Sequence, residues 1–280
     1  MKLVNKDYKV IAISFIAILL FGIVLNFFTP KYYLIILISV TLFIVLTFIF
    51  ETYRRLHGKI DESILKARVS YRQTEDLFSL YFSVKPQSPL PDLRGWSASP
   101  DYLKQILLLI DEKDVGNILE LGSGASSIII GRFLQSRGKG KLVSIEQDEE
   151  YANKTRKLVE VNKIQDFVEV QYKPVKDVKI GNDNWSWYDI RELNYQEPFD
   201  MLLIDGPSPN EDQKLVRYPA LPLLKSYLRE GASILLDDAF REDEKMVVRK
   251  WLENDDTLTK RYISTEKGMC ILTVGKDTKS

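Results

Sequence analysis

Residues 117–130 read NILELGSGASSIII. The short apolar run Ile118–Leu121 enters Gly122-Ser123-Gly124, and a helical apolar pattern begins at once, so the stretch reads as a buried strand turning sharply into a helix N-terminus. Glycines at 122 and 124 let the backbone turn tightly and let a ligand approach without a Cβ in the way. The Gly-x-Gly-x-Ser spacing has Ser127 where the dinucleotide fingerprint needs its third glycine, so the pair alone fits a ligand cradle or a plain structural turn.

Outward from this turn, strand and helix alternate. Strands are expected at Ile118–Leu121, Lys141–Ile145, Phe167–Tyr172, Phe199–Ile204 and Ala232–Leu236, with helices near Ser126–Gln135, Glu149–Asn162, Lys214–Arg229 and Glu242–Leu252. Short apolar strands between amphipathic helices indicate an α/β fold, a Rossmann-like doubly wound and mostly parallel sheet covered on both faces. Arg261–Ser264 and Met269–Val274, separated by Thr-Glu-Lys-Gly, break the alternation and read as a terminal antiparallel hairpin. Right-handed crossovers bring the strand tips, and any ligand, to one edge.

The N-terminal part is different material. Residues 10–28 and 32–50 are two apolar runs separated by Thr29-Pro30-Lys31, each long enough to cross a bilayer. A cleavable signal peptide would have a shorter apolar core, and a buried hairpin of a soluble protein would have a polar face. Lys2, Lys6 and Lys9 precede the first run, and Arg54, Arg55, Lys59, Lys66, Arg68 and Arg72 follow the second, against Lys31 in the turn. The expectation is therefore a two-span hairpin at 1–50 in the cell membrane, with both termini and the main domain cytoplasmic. Residues 51–98 read as a stalk helix, to about Phe82, and a proline-rich linker or lid containing Arg94 and Trp96. Residues 99–280 read as the main domain, opening at Ser99-Pro100-Asp101, a favourable helix start.

Composition excludes several classes. The chain of 280 residues has 39 basic and 39 acidic side chains, so no overall field favours nucleic acid, and no nucleic-acid partner is expected. Cys270 is the single cysteine and sits in an apolar run, which excludes an intramolecular disulfide and a multi-cysteine metal site. His57, the single histidine, falls in the stalk, so the chemistry has to work without a histidine base.

Glu146, at the tip of the next strand in Leu-Val-Ser-Ile-Glu-Gln-Asp, suits two ribose hydroxyls and would serve a nicotinamide dinucleotide or S-adenosyl-L-methionine equally. Glu120, just before the glycine turn, would repel a pyrophosphate but suits a ligand carrying an ammonium and a sulfonium, which favours S-adenosylmethionine. A nicotinamide oxidoreductase or epimerase of the short-chain type would need a Tyr-x-x-x-Lys pair well after the turn, and the one match, Tyr81 to Lys85, precedes it. A non-catalytic membrane-anchored nucleoside-binding module stays open as a second alternative.

The motifs ILELGSGASS, VSIEQD and FDMLLIDGP resemble the successive strand-tip motifs of class I S-adenosylmethionine-dependent methyltransferases, over about Ser99 to Val274. RGWSASPDYL, RYPALPLL and ILLDDAFREDE are similar to a membrane-anchored bacterial and archaeal group related to catechol- and macrocin-type O-methyltransferases. The resemblance implies that Glu120, Gly122, Ser123 and Gly124 wrap the methionine part of the cofactor, Glu146 holds the ribose, Gln147 lies near the adenine with Pro174 and Val175 closing on the ring, and Asp205 faces the methyl group. It also implies catalytic roles for Asp205 and Asp238 and a magnesium ion, Mg2+, on Asp205, Asp237 and Asp238, although Ala239 stands where the catechol-type pattern has an asparagine ligand. The implied acceptor is a small molecule, a glycan or a lipid-linked compound.

Other residues keep two readings. Trp185, Trp187 and Tyr188, in an insertion before the fourth parallel strand, line an acceptor pocket or pack as a surface flap. Arg217-Tyr218-Pro219 and Arg241 are acceptor ligands, or Arg217 and Arg241 pair with a neighbouring aspartate.

Overall fold

The computed structural model describes residues 13, 16–18, 20–24, 26–27, 32–86, 89–95, 97–191, 193, 195, 197–208 and 213–275. The chain separates into two compact units, Met1–Arg68 and Val69–Ser280.

In the first unit, the described residues between 13 and 27 are helical, and the rest of the 10–28 run lies outside the described residues. The second apolar run and the stalk, expected as separate pieces, form a single helix, α1, Tyr33–Val84. Residues 33–84 contain no proline, so no backbone donor is lost along them. Among the described residues one helix, rather than the expected two, is long and apolar enough to cross a membrane; its apolar window has mean hydropathy 2.7 and is not buried. The hydroxyls in this stretch donate back to the carbonyl four residues earlier, Ser39 to Ile35, Thr41 to Leu37, Thr47 to Phe43 and Thr52 to Phe48. Each polar group is thereby satisfied within its own helix, as an apolar solvent requires.

The second unit begins at Val69, well before Ser99. Gln73, Asp76, Leu80 and Val84 are buried at helical spacing on the last turns of α1. There Asp101 N–H donates to Gln73 Oε1 (3.3 Å) and Lys104 Nζ to Asp76 Oδ1 (2.7 Å), both on α2, Pro100–Glu112. Lys85, at φ +42°, closes α1 by donating to Tyr81 O, and Pro86 prevents further helix.

After α2 come β1 Asn117–Leu121, α3 Ala125–Arg137, β2 Lys141–Glu146, α4 Glu149–Val161 and β3 Val168–Tyr172. A two-stranded hairpin follows, β4 Val175–Ile180 and β5 Asp183–Tyr188, then β6 Phe199–Ile204, α5 Ala220–Leu224, β7 Leu228–Leu236, α6 Glu242–Asn254, β8 Thr259–Ile263 and β9 Met269–Thr273. The main sheet has the order β3-β2-β1-β6-β7-β9-β8, parallel except for β9, which runs antiparallel to both neighbours. The expected mostly parallel seven-stranded sheet with its terminal hairpin is thus present. Side chains alternate across it: Ile118, Leu142 and Leu203 join a core with α2, α3 and α4, while Leu119, Val143 and Leu202 join a second core with α5, α6 and the β4–β5 hairpin. The order reverses between β1 and β6, which opens a crevice at their carboxyl ends.

Two sequence readings need correction. The helix expected over Lys214–Arg229 is a single turn at 220–224 followed by a 3-10 turn at Lys225–Tyr227, and β7 starts at Leu228. Pro219 and Pro222 remove two backbone donors there. The insertion before β6 is the β4–β5 hairpin, and it buries Trp187 and Tyr188 in the second core.

Candidate active site at the carboxyl edge of the sheet

The glycine turn is held from both sides. Gly122 N–H donates to Ile145 O (2.8 Å), and Leu121 O accepts from the N–H groups of Asp205 (3.1 Å) and Gly206 (2.7 Å), so the β1 and β6 tips are locked together. Gly122 has φ +96°, and a Cβ there would lie 3.2 Å from Gly206 N; a Cβ on Gly206 would lie 2.2 Å from Tyr188 Oη. A Cβ on Gly124 would meet nothing within 4 Å, so the turn is open on that side.

Two glutamates organise the turn. Glu146 Oε2 accepts from Ser123 N–H (2.9 Å) and Ser123 Oγ (3.2 Å), and its Oε1 accepts from the N–H groups of Gln147 and Asp148. Glu120 is buried, and its Oε2 accepts from Ser127 Oγ (2.5 Å) and Ser144 Oγ (2.6 Å), tying β1 to the first turn of α3 and to β2. Burial raises the Glu120 carboxyl to about 7 against the opposing hydrogen bonds of Ser126, Ser127 and Ser144. Gln147 Oε1 is buried without a partner beside this crevice, an acceptor suited to a ligand amine. Pro174 and Val175 are half-buried where β3 passes into β4; Lys173 N–H donates to Glu146 O, which holds that segment beside the β2 tip.

Across the crevice Asp205, Asp237 and Asp238 each offer an oxygen within 4.8 Å of the others. Asp237 and Asp238 are buried, and Asp205 keeps 34% of its side-chain surface. Both Asp237 carboxylate oxygens and Asp238 Oδ1 lack partners. Burial, then Asp205 and Asp238, raise the Asp237 carboxyl to about 7, and burial raises Asp205 against the pull of Arg217. Asp238 sits at φ +58°, a left-handed conformation uncommon for a residue with a side chain.

Arg217 resolves one of the sequence ambiguities. Its buried guanidinium donates to Asp238 Oδ2 (3.0 Å), Asp205 Oδ1 (3.2 Å) and the carbonyls of Asp237 (2.9 Å) and Asp205 (2.5 Å), with Glu244 Oε1 at 3.5 Å. Arg241 Nη1 reaches Asp238 Oδ2 at 3.0 Å. Both arginines thus pair with aspartate. Trp185 lies against Tyr218, ring centroids 4.9 Å apart.

The acidic cluster has a roof that the sequence did not reveal. Tyr102 of α2 is buried with its hydroxyl unpartnered, and burial together with Asp237, Asp205 and Glu120 raises its pKa far above the usual phenol value. The Thr265–Gly268 turn covers the β7 tip through Ala239 N–H to Gly268 O (3.0 Å) and Phe240 N–H to Lys267 O (3.3 Å). Arg94 clamps this turn by a bidentate pair with Glu266 (2.6 and 3.0 Å), Lys267 Nζ donates to Ser97 O, and Glu266 N–H donates to Asp101 Oδ2. The proline-rich segment is therefore a docked strap; Trp96 lies outside the described residues.

A family model described as a methyltransferase domain matches residues 119–239, which span the glycine turn, Glu146 and all three aspartates. Over these residues the chain is similar to a methyltransferase domain. No curated protein matches the chain. Among solved structures, an O-methyltransferase from Bacillus cereus in complex with SAH is 22% identical with TM-score 0.50, covering 72% of this chain and 90% of that one. The O-methyltransferase TomG from Streptomyces achromogenes, in complex with SAM, is 20% identical with TM-score 0.51, covering 75% and 96%. The SAH-bound methyltransferase PaMTH1 from Podospora anserina is 14% identical with TM-score 0.53, covering 76% and 96%. At these identities the methyltransferase domain shares the fold of all three.

Proposed function

We propose that the chain is a membrane-anchored methyltransferase that transfers the methyl group of S-adenosyl-L-methionine to an oxygen of a small-molecule, glycan or lipid-linked acceptor at the cytoplasmic face. The observation that carries this reading is the crevice itself: an open glycine turn braced by Glu146 on one side and three clustered aspartates on the other, joined through the Leu121 carbonyl. S-adenosylmethionine supplies an electrophilic methyl group on a sulfonium.

Ser123, Gly124 and Gly122 form the wall beside the methionine part, and the buried carboxyl of Glu120 accepts from its ammonium. Glu146, already fixed by three backbone N–H groups, presents its carboxylate to the ribose, and the unpartnered Gln147 Oε1 accepts from the adenine amine beside Pro174 and Val175. Asp205, the most open of the three aspartates, faces the methyl group. Asp238 takes the acceptor's hydroxyl proton or holds its oxygen, and the fixed crevice contributes by holding both reactants in line.

A divalent cation such as Mg2+ fits the cluster: oxygens of Asp205, Asp237 and Asp238 converge, and those of Asp237 have no protein partner. Bound there, it would supply Lewis acidity toward the acceptor oxygen.

The anchor rests on α1 and on the helical residues before it. A Cβ on Gly22 would come within 3.2 Å of Leu37 Cδ1, a proximity that supports reading the earlier stretch as a second span. The basic flanks favour the cytoplasmic side.

The test uses the full chain in detergent with isotopically labelled S-adenosylmethionine and a membrane extract. Saturable binding with transfer of label is expected, and Asp238→Ala should abolish transfer while leaving binding intact. Failure to bind overturns the methyltransferase reading, and binding without transfer favours a nucleoside-binding module.

A further inference from the structure

A second concavity lies outside the crevice, between α6 and the edge strand β8, with a volume of about 500 Å³. Its floor is apolar: Ala239, Phe240, Leu252 and Tyr262. Phe240, in the turn after β7, is 49% exposed, and Tyr262, on β8, is 43% exposed. The Phe240 ring rests on Gly268, where a Cβ would lie 2.5 Å from it, so the glycine allows one face of the ring to seat and leaves another outward. This aromatic, held open two residues after Asp238, lines the groove.

The rim is cationic. Lys245 and Arg249 stand one turn apart on α6, and Lys260 faces them from β8, against the single carboxylate of Glu253 at the opposite end of the α6 stripe. Lys245 is partly compensated by Glu242 (2.7 Å), but Arg249 makes no ion pair among the described residues, and Lys260 lies 5.9 Å from the Tyr262 ring. Like charges gathered over an apolar floor lose stability unless an anion joins them. A hydrocarbon chain alone would leave the cations unused, and a small anion alone would leave the floor exposed.

We propose that this groove binds the phosphate and first lipid segment of a lipid-linked acceptor, directing the attached group past Phe240 toward Asp238. The proposal rests on the methyltransferase reading and names its acceptor class: a phosphate-bearing amphiphile, with phosphate among Lys245, Arg249 and Lys260 and hydrocarbon on Phe240, Tyr262 and Leu252. A chain with a membrane-length apolar helix has such amphiphiles at hand.

The test measures equilibrium binding to the full chain in neutral detergent, with farnesyl phosphate, farnesol and inorganic phosphate as probes and S-adenosylmethionine as control. Farnesyl phosphate should bind saturably and more tightly than either half-probe. The double variant Arg249→Glu/Lys260→Glu should weaken farnesyl phosphate by about tenfold or more, the scale of reversing two rim charges, and leave S-adenosylmethionine unchanged. Phe240→Ser should weaken farnesyl phosphate and farnesol alike. Equal binding of farnesyl phosphate by wild type and double variant overturns the proposal, as does equal competition by phosphatidylglycerol, which would make the groove a general lipid surface. Loss of S-adenosylmethionine binding by the wild type instead strikes the methyltransferase reading and leaves the probe comparison interpretable.

Discussion

Replacing Arg217 by methionine keeps the length and apolar volume of the side chain and deletes one charge from a site where it is surrounded. The guanidinium is 3% exposed and serves Asp238, Asp205 and Glu244 together with two backbone carbonyls. Without it, three carboxylates and Asp237 face one another with Arg241 as the remaining contact cation on Asp238. Breaking a buried ion pair by removing one partner costs about 3–5 kcal/mol, because the other charge stays buried and uncompensated. For a domain of this size that corresponds to about 6–20 °C in Tm.

The assay is thermal unfolding of the full chain in detergent, wild type against Arg217→Met, across pH 5.5–7.5. The pH arm has a definite sign. Carboxyls deprived of their cation have folded pKa values above their unfolded ones, so the stability they allow is present at low pH and lost as pH rises through the folded values. The variant's deficit should therefore shrink toward pH 5.5, and magnesium should narrow it at pH 7.5 if the aspartates accept the ion. A Tm loss below about 2 °C, less than 1 kcal/mol of buried-charge cost would produce, or a deficit independent of pH, would refute the account of Arg217 as the cluster's internal cation.

A chain starting at Leu90 should be less stable than one starting at Val69 by about 3–6 kcal/mol, the loss of the buried side chains of Leu80 and Val84, as urea titration of the two would show. Gly206→Ala should weaken S-adenosylmethionine binding by about tenfold or more by pushing Tyr188 and the Gly122 turn apart, and Tyr188→Phe in the same chain should restore part of it because the colliding atom is the phenol oxygen. Glu120, raised to about 7 by burial, holds a proton more tightly folded than unfolded, so its contribution falls as pH climbs from about 4 to 7. Glu120→Gln should therefore gain Tm relative to wild type as pH increases over that range; parallel curves would contradict it.

β1, β2 and β6 were legible because each is a short, largely apolar run ended by a residue of another kind, Gly122, Glu146 or Asp205. The β4–β5 hairpin was missed although Gly181-Asn182 is a two-residue turn signal, since Val175–Ile180 mixes charge with apolar residues and the hairpin's contribution to the core comes from two aromatics. The helix expected at 214–229 failed where prolines interrupt an apolar pattern that either a helix or a loop could supply. At the crevice the three aspartates were readable from strand ends, as was the alternative of Arg217 pairing with an aspartate. Tyr102, Glu244 and the Arg94–Glu266 clamp had no local signal, because each meets its partners only after distant segments pack.

That clamp sets an order of events during synthesis. Arg94 and Glu266 are separated by 172 positions, and β9, which completes the sheet beside β7, is the last strand made. α1 leaves the ribosome before the sheet, whereas the roof over the aspartates waits for the β8–β9 hairpin. The nascent protein can thus have α1 formed while its acidic crevice is still unfinished, and a long-range closure of this kind is slow relative to local helix formation. Ribosomes stalled before residue 259 would leave chains with the carboxyl edge of the sheet uncovered, which makes the C-terminal hairpin the step that completes the crevice.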